Sequence, residues 1–389
     1  MPLLAEGQSI RNTYEVERFL GEGAFAEVYR VRHKFLGRQA MKVFKKPGMS
    51  ASEVESMLSE AILLSRIGHP NIVRVFDANV IETDAGLRGY FTMENVAGGT
   101  LDSFWRSFGS RLLPVPTAVD LARQICRGLA VAHSEHPPVI HRDLKPQNIL
   151  VGYEASGLRA RISDFGLARR VNPLTLLASA AGTLPFKPPE VFADSKSDSP
   201  AGDVYAIGVT LYLMLSDCFP YEIGPDFSMV DPSDFDKPPR PLAELNFDVD
   251  AVLSDIVMRC IARKAADRYP DAPALLAALD SWHAESAKAT ESDSRDESAE
   301  KKTHAENAES AEKKSHAENA KSVLARVPKA AQQDVSRASV MARLALKTAR
   351  EDGRLAEAAV LMEEAFNLHP ALRDKYASRV KLWRAGVSM

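Results

Sequence analysis

The stretch that most restricts what this chain can fold into is Val139-Ile-His141-Arg142-Asp143-Leu-Lys145-Pro-Gln-Asn148-Ile-Leu-Val151, followed by Ile162-Ser-Asp164-Phe165-Gly166. It concentrates carboxylates, cations and an amide in a short span. It sits in the middle of a long run of mixed structure from Tyr14 to about Trp282. At 389 residues the chain exceeds one ordinary domain, because single hydrophobic cores stop growing at roughly 250–300 residues. After Trp282 the composition changes.

A second informative element lies upstream, where Gly21-Glu22-Gly23-Ala24-Phe-Ala26-Glu-Val28 follows the apolar Tyr14, Val16, Phe19 and Leu20. In a dinucleotide-binding fold such glycines open a helix. Here Glu27 to Arg32 alternates as a strand does, which predicts a glycine-rich hairpin. With no side chains at Gly21 and Gly23, its backbone can approach a polyphosphate and turn amides toward the oxygens. The next strand, Gln39 to Phe44, carries a single lysine, Lys42, in an apolar run. Burying that ammonium is costly without a partner. Ser50 and Glu53 form the pattern that opens a helix, and Met57, Ala61 and Leu64 mark its apolar stripe. Glu60 falls on that stripe and Glu55 opposite it, so Glu60 is either the partner of Lys42 or a residue at the stripe's wet margin.

With both elements in order, the sequence from Tyr14 to about Leu279 resembles the eukaryotic-like (Hanks-type) serine/threonine protein kinases, and more specifically a bacterial member of them. The resemblance implies an α+β fold of two lobes: a small antiparallel β-rich lobe over about 1–95 and a larger, mainly α-helical lobe over 96–282. ATP would lie between them. By the same resemblance Lys42, oriented by Glu60, holds the α- and β-phosphates. Asp143 accepts or aligns the substrate hydroxyl proton, and Lys145 adds a cation at the transferring group. Asn148 and Asp164 supply oxygen ligands to Mg²⁺. Gly21, Glu22, Gly23, Ala24, Val28 and Ala40 line the nucleotide. Tyr90 to Val96 forms the strand and hinge along adenine, with Met93 as gatekeeper and the Glu94 and Val96 backbone as hydrogen-bonding groups.

Further along, Gly182-Thr183-Leu-Pro-Phe-Lys-Pro188-Pro189-Glu190 matches the end of an activation segment. Asp203-Val-Tyr-Ala-Ile-Gly208 matches the start of a buried central helix, capped by Ser199 with Pro200 first. The resemblance makes Thr183 a contact of the catalytic aspartate, Asp203 a brace of its loop, and Glu190 the partner of Arg268. Arg142, Arg169 and Arg170 would frame a basic pocket for a phosphate on Thr175 or Ser179, the hydroxyls between Gly166 and Gly182. Three positions depart from the family pattern: Ala26 for the third glycine, Pro188 for alanine and Phe186 for tyrosine. None removes a ligand or a charge. The competing functions are a pseudokinase scaffold and a kinase of a small molecule. The full complement of charged residues argues against the first, and the complete Gly182–Glu190 segment against the second.

Residues 283–322 are almost entirely Ala, Glu, Lys, Ser, Asn and His, and residues 299–310 recur nearly unchanged at 311–322. So little apolar surface reads as a linker, disordered or a semi-rigid helical spacer. Helices can be drawn from Gln332 to Lys347, Leu355 to Leu368 and Leu372 to Trp383, with Asp352-Gly353 and His369-Pro370 as breaks. Residues 323–389 thus form an α-helical tail similar to a tetratricopeptide hairpin. About one and a half such repeats leave apolar surface, which predicts association with a second copy, the kinase lobe or a client protein.

The net charge of −3 gives no reason to expect a nucleic-acid partner. Cys126, Cys218 and Cys260 are few and scattered, as expected of small buried residues in a reducing compartment. Met1 to Ala5 is too short for a secretory signal, and the apolar run Val204 to Leu215 falls short of the roughly 20 residues that span a bilayer. The expected setting is therefore cytoplasmic.

Overall fold

The computed structural model describes residues 2–23, 26–48, 50, 52–55, 68–108, 112–165, 184–194, 197–221 and 230–283. In the tail it describes 341, 342, 344, 345, 348, 355–368, 373, 376, 380, 383 and 384. The chain divides into two compact units, Met1–Leu245 with Ala251–Asp280, and Asn246–Asp250 with Ser281–Met389.

The first unit begins with an antiparallel sheet of six strands: β1 (Ser9–Ile10), β2 (Tyr14–Glu22), β3 (Ala26–His33), β4 (Gly37–Phe44), β5 (Val75–Thr83) and β6 (Gly86–Glu94). Their spatial order is β1-β2-β3-β4-β6-β5. Alternation along each strand separates two apolar faces. Tyr14, Val16, Tyr29, Val31, Met41, Val43, Ile81 and Tyr90 form the outer one, covered by Leu4 and Ile10. The N-terminal segment is fastened there by the Leu4 amide donating to the Tyr29 hydroxyl (3.0 Å) and the Leu3 amide to Glu27 (2.8 Å). Ala26, Ala40, Phe44, Phe91 and Met93 form the inner face with Val54 and Val73. Lys42, between Met41 and Val43, shares the inner side with Ala40 and Phe44. Ser50 and Glu53 make reciprocal bonds, Ser50 N–H to the Glu53 carboxylate (2.8 Å) and Glu53 N–H to Ser50 Oγ (3.2 Å), and residues 52–55 are helical.

The larger lobe carries α1 (Leu101–Arg106), α2 (Val115–His133), α3 (Pro189–Ala193), α4 (Pro200–Ser216), α5 (Leu242–Leu245) and α6 (Ala251–Cys260). A small antiparallel sheet, β7 (Gly98–Thr100), β8 (Ile149–Glu154) and β9 (Gly157–Ile162), lies beside them. Helix α4 is buried from Asp203 to Ser216, so its apolar run is a core helix. Ser199 caps it, its hydroxyl accepting from Gly202 N–H (3.2 Å). A Cβ placed on Gly208 would come 2.5 Å from Cβ of Cys260 on α6, which explains the glycine by close helix approach. Gly208→Ala is expected to destabilise the unit by about 1–3 kcal/mol through overpacking, measured by denaturant unfolding.

Cys126 and Cys260 are buried, and burial raises both thiol pKa values. Cys218 departs from the sequence expectation by being exposed. The reason is local: α4 ends at Asp217 in the left-handed conformation (φ 57°), which turns the following residue outward.

In the second unit α7 (Leu355–Leu368) supplies Ala358, Ala359, Met362, Ala365 and Phe366 to a core with Phe247, Met341, Ala342, Ala345, Tyr376, Val380 and Trp383. Most of the other two helices drawn from the sequence, and residues 284–322, lie outside the described residues. Among the described residues no helix is long and apolar enough to cross a membrane.

Candidate active site

Two backbone segments with positive φ converge on the cleft between the lobes. Arg142 (φ 69°) precedes Asp143, and Asp164 (φ 61°) follows β9. Left-handed backbone costs a non-glycine residue roughly 1–2 kcal/mol, so the surroundings must hold it. Asp203 does so for the first. Its carboxylate accepts the amides of His141 (2.7 Å) and Arg142 (3.0 Å) and a bond from His133 Nε2 (3.1 Å). Since His133 Nδ1 accepts from the Ala272 amide, Nε2 is the protonated nitrogen.

Burial alone would raise the Asp203 pKa, but the bonds from His133 and His141 outweigh it and the net shift is downward. A lowered folded-state pKa contributes stability above the unfolded value, about 3.9, and loses it as pH falls through the folded value. Asp203→Asn should therefore be less stable than the parent at pH 7. Denaturant midpoints of the two should converge below about pH 4.

Asp143 is oriented from several sides. Its amide donates to His141 Nδ1 (3.3 Å), whose Nε2 donates to the Ser163 carbonyl (2.8 Å). Asn148 Nδ2 donates to the Asp143 carbonyl (2.7 Å) and to Oδ2 (2.9 Å). Lys145 Nζ stands 3.0 Å from Oδ2 and 3.3 Å from Oδ1. The Ser163 amide and hydroxyl both donate to the Asn148 carbonyl, tying this loop to the segment that leads from β9 to Asp164. Across the cleft Lys42 Nζ lies 2.6 Å from Asp164 Oδ1.

Beside these charges is an apolar cluster. Val28, Ala40, Met93 and Val96 pack in one cluster with Leu150 of β8. The Glu94 amide is taken by the Arg74 carbonyl (2.8 Å), and its carboxylate lies 3.3 Å from Arg161 of β9. At the open end Gly23 N–H closes the hairpin onto the Ala26 carbonyl (2.8 Å). A Cβ added at Gly21 would meet nothing within 4 Å, so packing within the protein does not demand this glycine. An apolar cluster thus stands beside a glycine hairpin, a paired lysine and a cation-flanked carboxylate. A family model of the protein kinase domain matches residues 14–270.

The chain belongs to the protein kinase family.

Serine/threonine-protein kinase ATG1c of Arabidopsis thaliana is 32% identical over 209 residues, 54% of this chain and 27% of that protein. An SNF-related serine/threonine-protein kinase of Rattus norvegicus is 30% identical over 262 residues, 65% of this chain and 32% of the relative. The chain thus spans about a third or less of these curated relatives. The crystal structure of the Mycobacterium tuberculosis PknI kinase domain superposes with a TM-score of 0.54 at 26% identity, covering 72% of this chain and 99% of that one. A point mutant of the same domain gives 0.53 at 26%, with 72% and 98% covered.

Of the site residues drawn from the sequence, the kinase brings Lys42 to Asp164, Lys145 and Asn148 to Asp143, and Arg268 to Glu190 through two bonds of 2.8 Å each. The Glu22 carboxylate is engaged by Lys45 (2.6 Å). Ala24, Glu60, Thr175, Ser179 and Thr183 lie outside the described residues, as do Arg169 and Arg170. Arg142 is engaged already: its Nε donates to Asp198 (2.7 Å) and Nη1 to the Ile140 carbonyl (3.2 Å). Sequence reasoning passed over Leu150, Asp198 and Lys187. Leu150 was recoverable from strand parity, as it faces opposite to Ile149 and Val151.

Proposed function

We propose that this protein is a serine/threonine protein kinase that transfers the γ-phosphoryl group of ATP to protein hydroxyls. The observation that carries the reading is the set of groups around Asp143: a cation and an amide fix its carboxylate where an incoming hydroxyl would be aligned. Asp143 aligns that hydroxyl and takes its proton, and Lys145 balances charge gathering on the transferring group. Lys42 holds phosphate oxygens while Asp164 keeps it in place. The apolar cluster takes the adenine ring, and the Glu94 carbonyl and Val96 backbone supply its hydrogen bonds.

The donor set fits Mg²⁺. Asp164 Oδ1 is buried and, beyond its contact with Lys42, takes no hydrogen bond. Asn148 spends its Nδ2 on Asp143, which leaves Oδ1 to ligate. Two protein oxygens suit a cation that keeps its waters and takes the rest from phosphates. Asp164 and Asn148 would hold Mg²⁺, which would supply charge neutralisation to the phosphate oxygens.

Incubation of the full chain with γ-labelled ATP and Mg²⁺ in a lysate tests the reading, with phosphoserine or phosphothreonine on protein as the expected result. Label confined to a metabolite would replace it with small-molecule phosphorylation, and no transfer would indicate a scaffold. We assign domains to 1–282, 283–322 and 323–389, and read the last as a tetratricopeptide-like module holding a second copy or a client near the active site. The PknI likeness favours a bacterial setting, and the reading is of a cytoplasmic enzyme. Sedimentation of the full chain against one ending at residue 322 should show loss of self-association, or a labelled-ATP assay of the same pair loss of client phosphorylation. Phosphorylation of Thr175 or Ser179 is the proposed activation signal, and full activity of the doubly alanine-substituted protein would sink it.

A further inference from the structure

The peptide that joins Arg142 to Asp143 is pinned at both ends. Its N–H, on Asp143, donates to His141 Nδ1 at 3.3 Å. Its carbonyl oxygen, on Arg142, accepts from Lys187 Nζ at 2.6 Å. A peptide group is planar, so holding its oxygen and its hydrogen fixes the orientation from which the Asp143 side chain departs. The other contacts described for Arg142 act elsewhere: Asp203 on its amide, and Asp198 and the Ile140 carbonyl on its guanidinium. None of these is made to the carbonyl. Lys187 comes from a separate part of the chain, the turn between the 3₁₀ helix Leu184–Phe186 and α3. It therefore reports the placement of that segment directly to the catalytic loop.

We propose that Lys187 is a positioning residue for phosphoryl transfer, clamping the Arg142 carbonyl so that Asp143 is held in its working orientation. The proposal rests on the reading of Asp143 as the catalytic carboxylate. Lys187 is half-buried, and the charged groups that face it are Asp143, Asp198 and Asp203, with Lys145 as the opposing cation. Burial lowers its pKa, and the three carboxylates offset this in part. Its ammonium is thus the form lost as pH rises, and with it the strong charge-assisted bond to the carbonyl.

The test uses the full chain with Lys187→Met and Lys187→Arg, and Asp143→Asn in parallel. Lys187→Met should lower kcat by about 10²-fold, the scale of a small misplacement at a reacting centre. KM for ATP should stay within about twofold, since the contact described for Lys187 is to the catalytic loop and not to the residues proposed to line the nucleotide. Lys187→Arg, charged at every accessible pH, should recover turnover and carry the alkaline fall in kcat to higher pH. A folded Lys187→Met protein with normal kcat would overturn the proposal. So would a loss of activity that follows a lowered melting temperature and returns on cooling the assay, because that is a stability effect. If Lys187→Met does not fold, an alkaline limb unchanged in Lys187→Arg is the overturning result and a displaced limb the supporting one. Full turnover by Asp143→Asn would instead overturn the catalytic reading itself.

Discussion

Asp143→Asn is expected to reduce phosphoryl transfer about 10²- to 10⁴-fold, the range for removing a positioned acid–base group, with folding and nucleotide binding retained. The amide has nearly the same shape but cannot accept a proton. It also turns a donor or a weaker acceptor toward groups that now see a carboxylate: Lys145 Nζ reaches both oxygens, and Asn148 Nδ2 donates to Oδ2. The backbone bonds that shape the loop, from Asp203 and His141, do not involve the Asp143 side chain and should survive. The residues proposed to line the nucleotide are others. Single-turnover transfer from labelled ATP, read beside a nucleotide-binding titration and a thermal melt, separates these effects. Near-normal turnover would remove Asp143 from the chemistry.

Glu190→Ala should have the largest effect on stability, about 3–5 kcal/mol, the usual cost of breaking a buried ion pair from one side. The Arg268 side chain is fully buried, and Glu190 meets it with both oxygens at 2.8 Å. Three carbonyls, of Ala201, Ala262 and Arg263, share its remaining donors, and the guanidinium lies 4.8 Å from the Tyr205 ring centroid. Those neutral partners cannot replace a carboxylate, so the truncation strands a charge in the core. Adding Arg268→Leu should return part of the lost stability, because it removes the stranded charge as well. Urea unfolding of the parent, both single variants and the double variant measures this coupling. A loss below about 1 kcal/mol for Glu190→Ala, the scale of an exposed pair, would show that the three carbonyls suffice.

Period-two alternation made β3 and β4 readable, and with them the glycine hairpin and the side of the sheet that Lys42 occupies. The central helix α4 was readable because Ser199-Pro200 and a long apolar run mark its start and burial together. Long-range partners were harder. The helix stripe points Lys42 toward Glu60, which lies outside the described residues, and gives no sign of its contact with Asp164, which comes from just past the end of β9. No periodicity connects two such strands. Arg142 also donates to Asp198, which reaches it from the turn before α4, and the path of that turn is not encoded in spacing. Lys187 stood inside a recognised motif yet carried no signal, since its role depends on aiming at a backbone carbonyl that any residue would offer.

The N-terminal segment bears on where this kinase can be cut for study. The family match begins at residue 14, yet Leu4 and Ile10 are buried against Tyr29, Val31 and Met41 on the outer face of the sheet. A fragment trimmed to the matched limits would bare that apolar surface beside β2, the strand that leads into the glycine hairpin. Such a fragment would misreport both solubility and nucleotide affinity, and an affinity tag belongs ahead of an intact Leu3.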